Sequence, residues 1–127
     1  MTQYVEGPVK TFLSGAAIGA HLRVKLVSGV LQLAGVADDD LGVTEQASFA
    51  ANEPQAVRLR TAPGTLKMIA DGSTITAGGA VRTAASGKVA STNASGSRPR
   101  GIALEASTAD GDLIEVLQSG TGHTSTT

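Results

Sequence analysis

At 127 residues, with a formal net charge of −1, 16 glycines, no tryptophan and no cysteine, the chain has room for one compact domain and a thin core of Val, Leu, Ile and Ala, so contact with other copies or a larger body is a natural way to bury more surface. Its 10 basic and 11 acidic residues are scattered along the chain and set up no field to draw nucleic acid or an anionic membrane. The lack of cysteine excludes disulfides and thiolate metal sites, which fits a reducing cytoplasmic origin.

The start, MTQYVEGPVK, lacks the charged and then apolar stretches of a signal peptide, and no apolar run is long enough to span a bilayer. Residues 1–14 read as extended, because Pro8 removes a backbone donor and restricts Gly7. This segment is either a first strand or frayed terminus, or an arm that places Tyr4 and Phe12 on a neighbour.

From Gly15 the pattern sharpens. Leu22, Val24 and Leu26 alternate with Arg23 and Lys25 before Ser28-Gly29, and Val30 to Leu33 resumes an apolar run, the signal of a hairpin. Asp38-Asp39-Asp40 is a polar break, followed by a strand at Leu41–Thr44 and a loop around Asn52-Glu53-Pro54. A turn of helix over residues 46–51 is the competing expectation there. Val57 and Leu59 alternate with Arg58 and Arg60 up to the turn Ala62-Pro63-Gly64.

Leu66 and Met68 then flank Lys67, Asp71-Gly72 ends that run, Val81 and Thr83 flank Arg82, and Ser86-Gly87 turns the chain into a strand at Lys88-Val89. Residues 91–97 form a polar loop. Residues 101–117, GIALEASTADGDLIEVL, read as a hairpin turning at Asp110-Gly111-Asp112, and the tail 119–127 reads as flexible. Turns recur about every 8 to 15 residues and no window sustains a helical period, so the fold class is all-β, a small barrel or sandwich.

A looser copy of the 101–117 pattern lies about 58 residues earlier, which points to a duplicated unit. Gly19–Arg23 aligns with Gly78–Arg82 with one residue of slippage, Ser28-Gly29 with Ser86-Gly87, Gly42-Val43 with Gly101-Ile102, and Ala56–Leu59 with Ile114–Leu117. The expected organisation is an N-terminal arm at 1–14, a single β domain at 15–118 with pseudo-repeats over 18–60 and 75–117, and the tail.

Chemistry is sparse in this pattern. The two histidines, His21 and His123, have no convincing partner for nucleophilic catalysis, and no serine sits in a Gly-x-Ser-x-Gly elbow. Adjacent carboxylates at 38–40 point apart on an extended chain and so make a poor calcium loop, while Asp110 and Asp112 are explained by a turn. Ser86-Gly87-Lys88 lacks the earlier glycine and the following hydroxyl of a phosphate loop, and Gly120-x-Gly122 has no third glycine. The pairs Arg98/Arg100 and Arg58/Arg60 lack aromatic neighbours for a nucleic-acid platform. The sequon Asn93-Ala94-Ser95 has no secretory context. No enzyme activity, cofactor or metal is expected.

Residues 75–81 (ITAGGAV), 86–89 (SGKV), 100–106 (RGIALEA) and 111–116 (GDLIEV) together resemble the small capsid decoration, or cement, proteins of tailed bacteriophages. The resemblance covers residues 66–117 well and 18–60 through the internal repeat. It implies a β-rich structural virion protein, made in the host cytoplasm and seated on the outer capsid surface. There it would bridge neighbouring capsomers of the major capsid protein, commonly as a homotrimer, with no nucleic acid or membrane as partner. On that reading the capsid or subunit interface is expected at Tyr4, Val5, Phe12 and Leu13, apolar residues that precede the duplicated body. The alternative is a carbohydrate- or surface-binding β module on a virion fibre or cell envelope, which needs exposed aromatics that the chain hardly has.

Overall fold

In the computed structural model, residues 9–60, 64–92 and 95–118 are described, and they form ten strands with no α-helix among them. The first half carries β1 (Val9–Leu13), β2 (Arg23–Val27), β3 (Val30–Leu33), β4 (Gly42–Thr44) and β5 (Pro54–Leu59). The second half carries β6 (Thr65–Asp71), β7 (Ala80–Thr83), β8 (Val89–Ala90), β9 (Pro99–Ala103) and β10 (Asp110–Gln118). Alternation explains the strands: in β6, Leu66, Met68 and Ala70 are buried while the residues between them are not.

The two halves share one topology. The first sheet has the order β1-β5-β4-β2-β3, and the second, read from β6, runs β6-β10-β9-β7-β8 before closing as a barrel. The first sheet approaches the same closure through a parallel bridge between Ser14 and Leu31, where the barrel closes through the parallel pair Ala70 and Val89. Pairing repeats residue for residue: Gly42 faces Leu59, Val43 faces Arg58 and Thr44 faces Val57, as Gly101 faces Gln118, Ile102 faces Leu117 and Ala103 faces Val116. The all-β duplicated body is therefore present, a closed barrel beside a related sheet.

The repeat also corrects two of the expected alignments. Arg23 and Val24 pair with Val43 and Gly42 as Ala80 and Val81 pair with Ile102 and Gly101, so the structural counterpart of Arg23 is Ala80 and not Arg82. In β5 and β10 the buried residues Gln55 and Val57 correspond to Ile114 and Val116, one step from the sequence match. Small and apolar residues align easily at either register, and only inward or outward facing separates them.

Local turn chemistry behaves as expected between β2 and β3, where Ser28 (φ 51) and Gly29 (φ 85) supply the two left-handed residues of a tight hairpin. The counterparts Ser86 (φ 57) and Gly87 (φ 75) do the same inside a short 3₁₀ turn at Ala85–Gly87. The last hairpin differs from expectation. β9 and β10 are joined through residues 104–109, and Asp110-Gly111-Asp112 opens β10 as an irregularity in register against Asp71 and Ile69. Gly111 (φ 93) provides that bulge, and Ser107 is held across the loop by a two-way backbone pairing with Ile75. Residues 46–51 form bends and a turn, because the Ser48 hydroxyl bonds the Ala16 carbonyl and the Ile18 amide in place of its own chain neighbours.

Two buried clusters result. One fills the barrel with Met68, Ile75, Val81, Val89, Ile114 and Val116 among others, and it also takes in Val43 from the first unit. The other, Ile18, Val24, Leu31 and Val57, belongs to the first unit and is flanked by Phe12 and Leu41.

Candidate functional site

Two features could carry function: the join between the units, and the apolar side chains left on the outside. At the join, β2 enters beside β6, with the Ile69 amide donating to the His21 carbonyl at 3.2 Å and the Gly87 amide donating to the Ala34 carbonyl at 2.8 Å. The Thr83 hydroxyl donates to the Val36 carbonyl at 2.5 Å, and the Arg98 guanidinium to the Ala37 carbonyl at 2.9 Å. A Cβ on Gly87 would press on the backbone of Arg23, so the close approach requires glycine.

The centre of the join is ionic. Asp40, buried, accepts a two-point contact from Arg100 (Nε to Oδ1 3.0 Å, Nη2 to Oδ2 2.9 Å), with Arg23 at 3.4 Å and Arg60 at 3.3 Å from Oδ1. Arg23 and Arg100 have no exposed surface. Three guanidiniums for one carboxylate leave excess positive charge, and backbone dipoles take up part of it: Arg23 also donates to the carbonyls of Ala84 (2.6 Å), Lys88 (3.0 Å) and Gly35 (3.2 Å). Burial pushes both the Arg23 and the Arg100 guanidinium below the ordinary arginine value, with Asp40 opposing that shift.

The aspartate run is thus divided among different cations. Asp38 meets Lys25 at 2.8 Å and the Gly35 amide, which together hold its carboxyl below the usual range, while Asp39 lies 3.6 Å from Arg98. Asp110 likewise pairs with Lys88 at 2.8 Å, and Asp112 accepts from the Ala109 amide and the Ser107 hydroxyl. His21 sits at a left-handed corner (φ 63) and lines an open groove of about 230 Å³ between the units with Thr44, Glu45, Arg58 and Lys67. Its backbone makes the structural contacts there, receiving Ile69 and donating to the Thr44 carbonyl.

Among the described residues, nine large apolar side chains remain exposed on the outside. Phe49 is 83% exposed at the tip of the loop between β4 and β5, with its amide donating to the Glu53 carboxylate at 2.8 Å. Ile102, Leu113 and Leu117 are exposed on the outer face of β9 and β10, Leu104 is exposed just past β9, and Leu13, Leu26 and Val27 are exposed on β1 and β2.

Of the interface residues expected from sequence, Tyr4 and Val5 lie outside the described residues. Phe12 and Leu13 stand in β1, which pairs with β5 of its own sheet. Phe12 turns inward onto the first unit's cluster, with the Lys10 ammonium 5.7 Å from its ring centre, whereas Leu13 remains 47% exposed. Sequence reasoning took no interface residue from β9 and β10, although the alternation of Leu113, Glu115 and Leu117 with Ile114 and Val116 signals a strand apolar on both faces. It also passed over Phe49, one of only two phenylalanines.

The sequence matches the family described as phage cement protein over residues 9–118. Among solved structures, the N base of head fiber gp8.5 in bacteriophage phi29 is similar in fold, with a TM-score of 0.69 at 18% identity over 88% of this chain and 95% of that one. No curated protein matches the chain.

Proposed function

The chain belongs to the phage cement protein family, and from that membership we propose that it seats on the outer surface of the head and clamps neighbouring capsomers of the major capsid protein together, as a homotrimer. The role is mechanical and non-enzymatic. The single observation that carries it is the combination of a cross-braced body with unpartnered apolar side chains outside it, Phe49 above all. Arg23, Asp40 and Arg100 are directed inward to the join, while Phe49 and the other exposed apolar side chains gain from being covered. A clamp adds buried area that must be lost before the shell opens, so bound copies shift the shell's stability by mass action.

Two elements supply the head contact. One is the segment before β1, with Tyr4 and Val5, and the other is the Phe49 loop, which the Glu53 carboxylate fixes in place. The described fold begins at Val9, so deleting residues 2–8 leaves β1 intact, whereas a cut through Leu13 would remove an edge strand. Co-sedimentation with undecorated expanded heads, together with the melting temperature of the heads, tests the proposal. Wild-type protein is expected to bind and to raise that temperature. The 2–8 deletion and Phe49→Ser are each expected to weaken binding by about tenfold or more, with free-protein stability changed by less than about 0.5 kcal/mol for Phe49→Ser. Wild-type protein that fails to sediment with heads overturns the function, and undiminished binding by both variants overturns the assigned contacts.

A further inference from the structure

The internal repeat allows the join between units to be used as a template. In the first unit one cross-strand row on the outer face, Arg23, Val43 and Arg58, is covered by the second unit: Arg23 and Val43 are buried and Val43 belongs to the barrel's own cluster. The corresponding row in the second unit is Ala80, Ile102 and Leu117, paired in the same way. Nothing among the described residues buries it. Ala80 is exposed, Ile102 is 44% exposed and Leu117 is 47% exposed, with Leu104 beside them.

The receiving side repeats as well. The second unit meets the first with Leu66, the Ile69 amide, the Thr83 hydroxyl and the Ala84 carbonyl. By the matched pairings of β1 with β5 and β6 with β10, and by the two parallel closures, their counterparts in the first unit are Lys10, Leu13, Leu26 and Val27. Leu13, Leu26 and Val27 are exposed, at 47%, 46% and 40%. Both halves of a contact already made once in the chain are therefore present a second time, with Leu13, Leu26 and Val27 opposite Ile102 and Leu117 in place of buried partners.

We propose that the outer face of β9 and β10, centred on Ile102 and Leu117, docks on the β1–β2 side of a second copy of this chain around Leu13, Leu26 and Val27, repeating between copies the join made within one. The contact is head-to-tail, so it closes into a ring when the rotation between units allows it, with first and second units alternating. It differs from the internal join in chemistry: the counterpart of the buried Arg23 is Ala80, so apolar contact replaces the ionic centre. This deepens the trimer reading, on which it rests only for where the ring is used.

The chain has no cysteine, so introduced thiols report single contacts. Val43 and Leu66 share a buried cluster, and their counterparts in the contact between copies are Ile102 and Lys10. Oxidising a mixture of Ile102→Cys and Lys10→Cys proteins, in concentrated solution and on heads, is expected to give a mixed covalent dimer in excess of either homodimer. In the double variant a closed covalent ring is expected. Ile102→Asp and Leu13→Asp are each expected to weaken self-association by at least about 30-fold. Mixed together, they should form a one-to-one dimer that neither forms alone, because each retains one intact face. Circular dichroism verifies that these surface variants stay folded. Absence of the 10–102 link in both settings, or links only between like positions, overturns the contact. The solution measurement needs no head, so a chain that cross-links but does not bind heads leaves the contact standing and overturns the capsid reading instead.

Discussion

Asp40 is the ionic centre of the join, and its value shows in what its loss would leave behind. With Asp40 replaced by Asn, Arg23 and Arg100 remain buried without the carboxylate that both contact, a change that typically costs about 3–5 kcal/mol. Arg60 is the outermost of the three cations, its side chain 9% exposed, and removing it lowers the excess positive charge around Asp40. We expect Asp40→Asn to lower the unfolding free energy by about 3–5 kcal/mol in urea titration and Arg60→Met to lower it by less than about 1.5 kcal/mol. Equal effects would show that the cluster is not organised around the aspartate. None of this was legible in the sequence. Asp40 read as part of a polar break and Arg100 as half of a small basic pair, and the two lie 60 positions apart in different units. Periodicity reports which way a residue faces along one strand and is blind to partners brought in by the join.

Strands and tight turns were far more readable, because their causes are local. Ser28-Gly29 fixes its hairpin by backbone conformation alone. The β9–β10 connection was misplaced because Asp-Gly-Asp is also good bulge chemistry, and the bridge between Ile75 and Ser107, a long-range contact, decides where the chain turns. Gly42 illustrates an element-level constraint of the same long-range kind. It lies between β2 and β5, and a Cβ there would collide with the Arg58 carbonyl. Gly42→Ala is expected to destabilise by about 1–3 kcal/mol, read as a lower denaturant midpoint, whereas Gly29→Ala meets no atom and strains only its own left-handed turn. A Gly42→Ala protein as stable as the wild type would mean that the strands separate more easily than their pairing indicates.

At the scale of the molecule, the barrel is not self-sufficient. Its cluster includes Val43, its β6 edge is capped by the His21 carbonyl, and its buried Thr83 hydroxyl is satisfied by Val36, all from the first unit. Residues 64–118 produced alone are therefore expected to lack a cooperative thermal transition, and a native-like transition in that fragment would show that the barrel stands without its neighbour. The asymmetry of the two outer rows bears on how the chain is made. A ribosome delivers the first unit while β6 to β10 are still missing, so Val43 must wait in water, and the arginines at positions 23 and 58 on either side of it guard that row against sticking to other nascent chains. The matching row in the second unit carries no charge at Ala80, Ile102 and Leu117, and it emerges when the first unit is already available to fold against. On the contact proposed above, the same lack of charge serves assembly between copies.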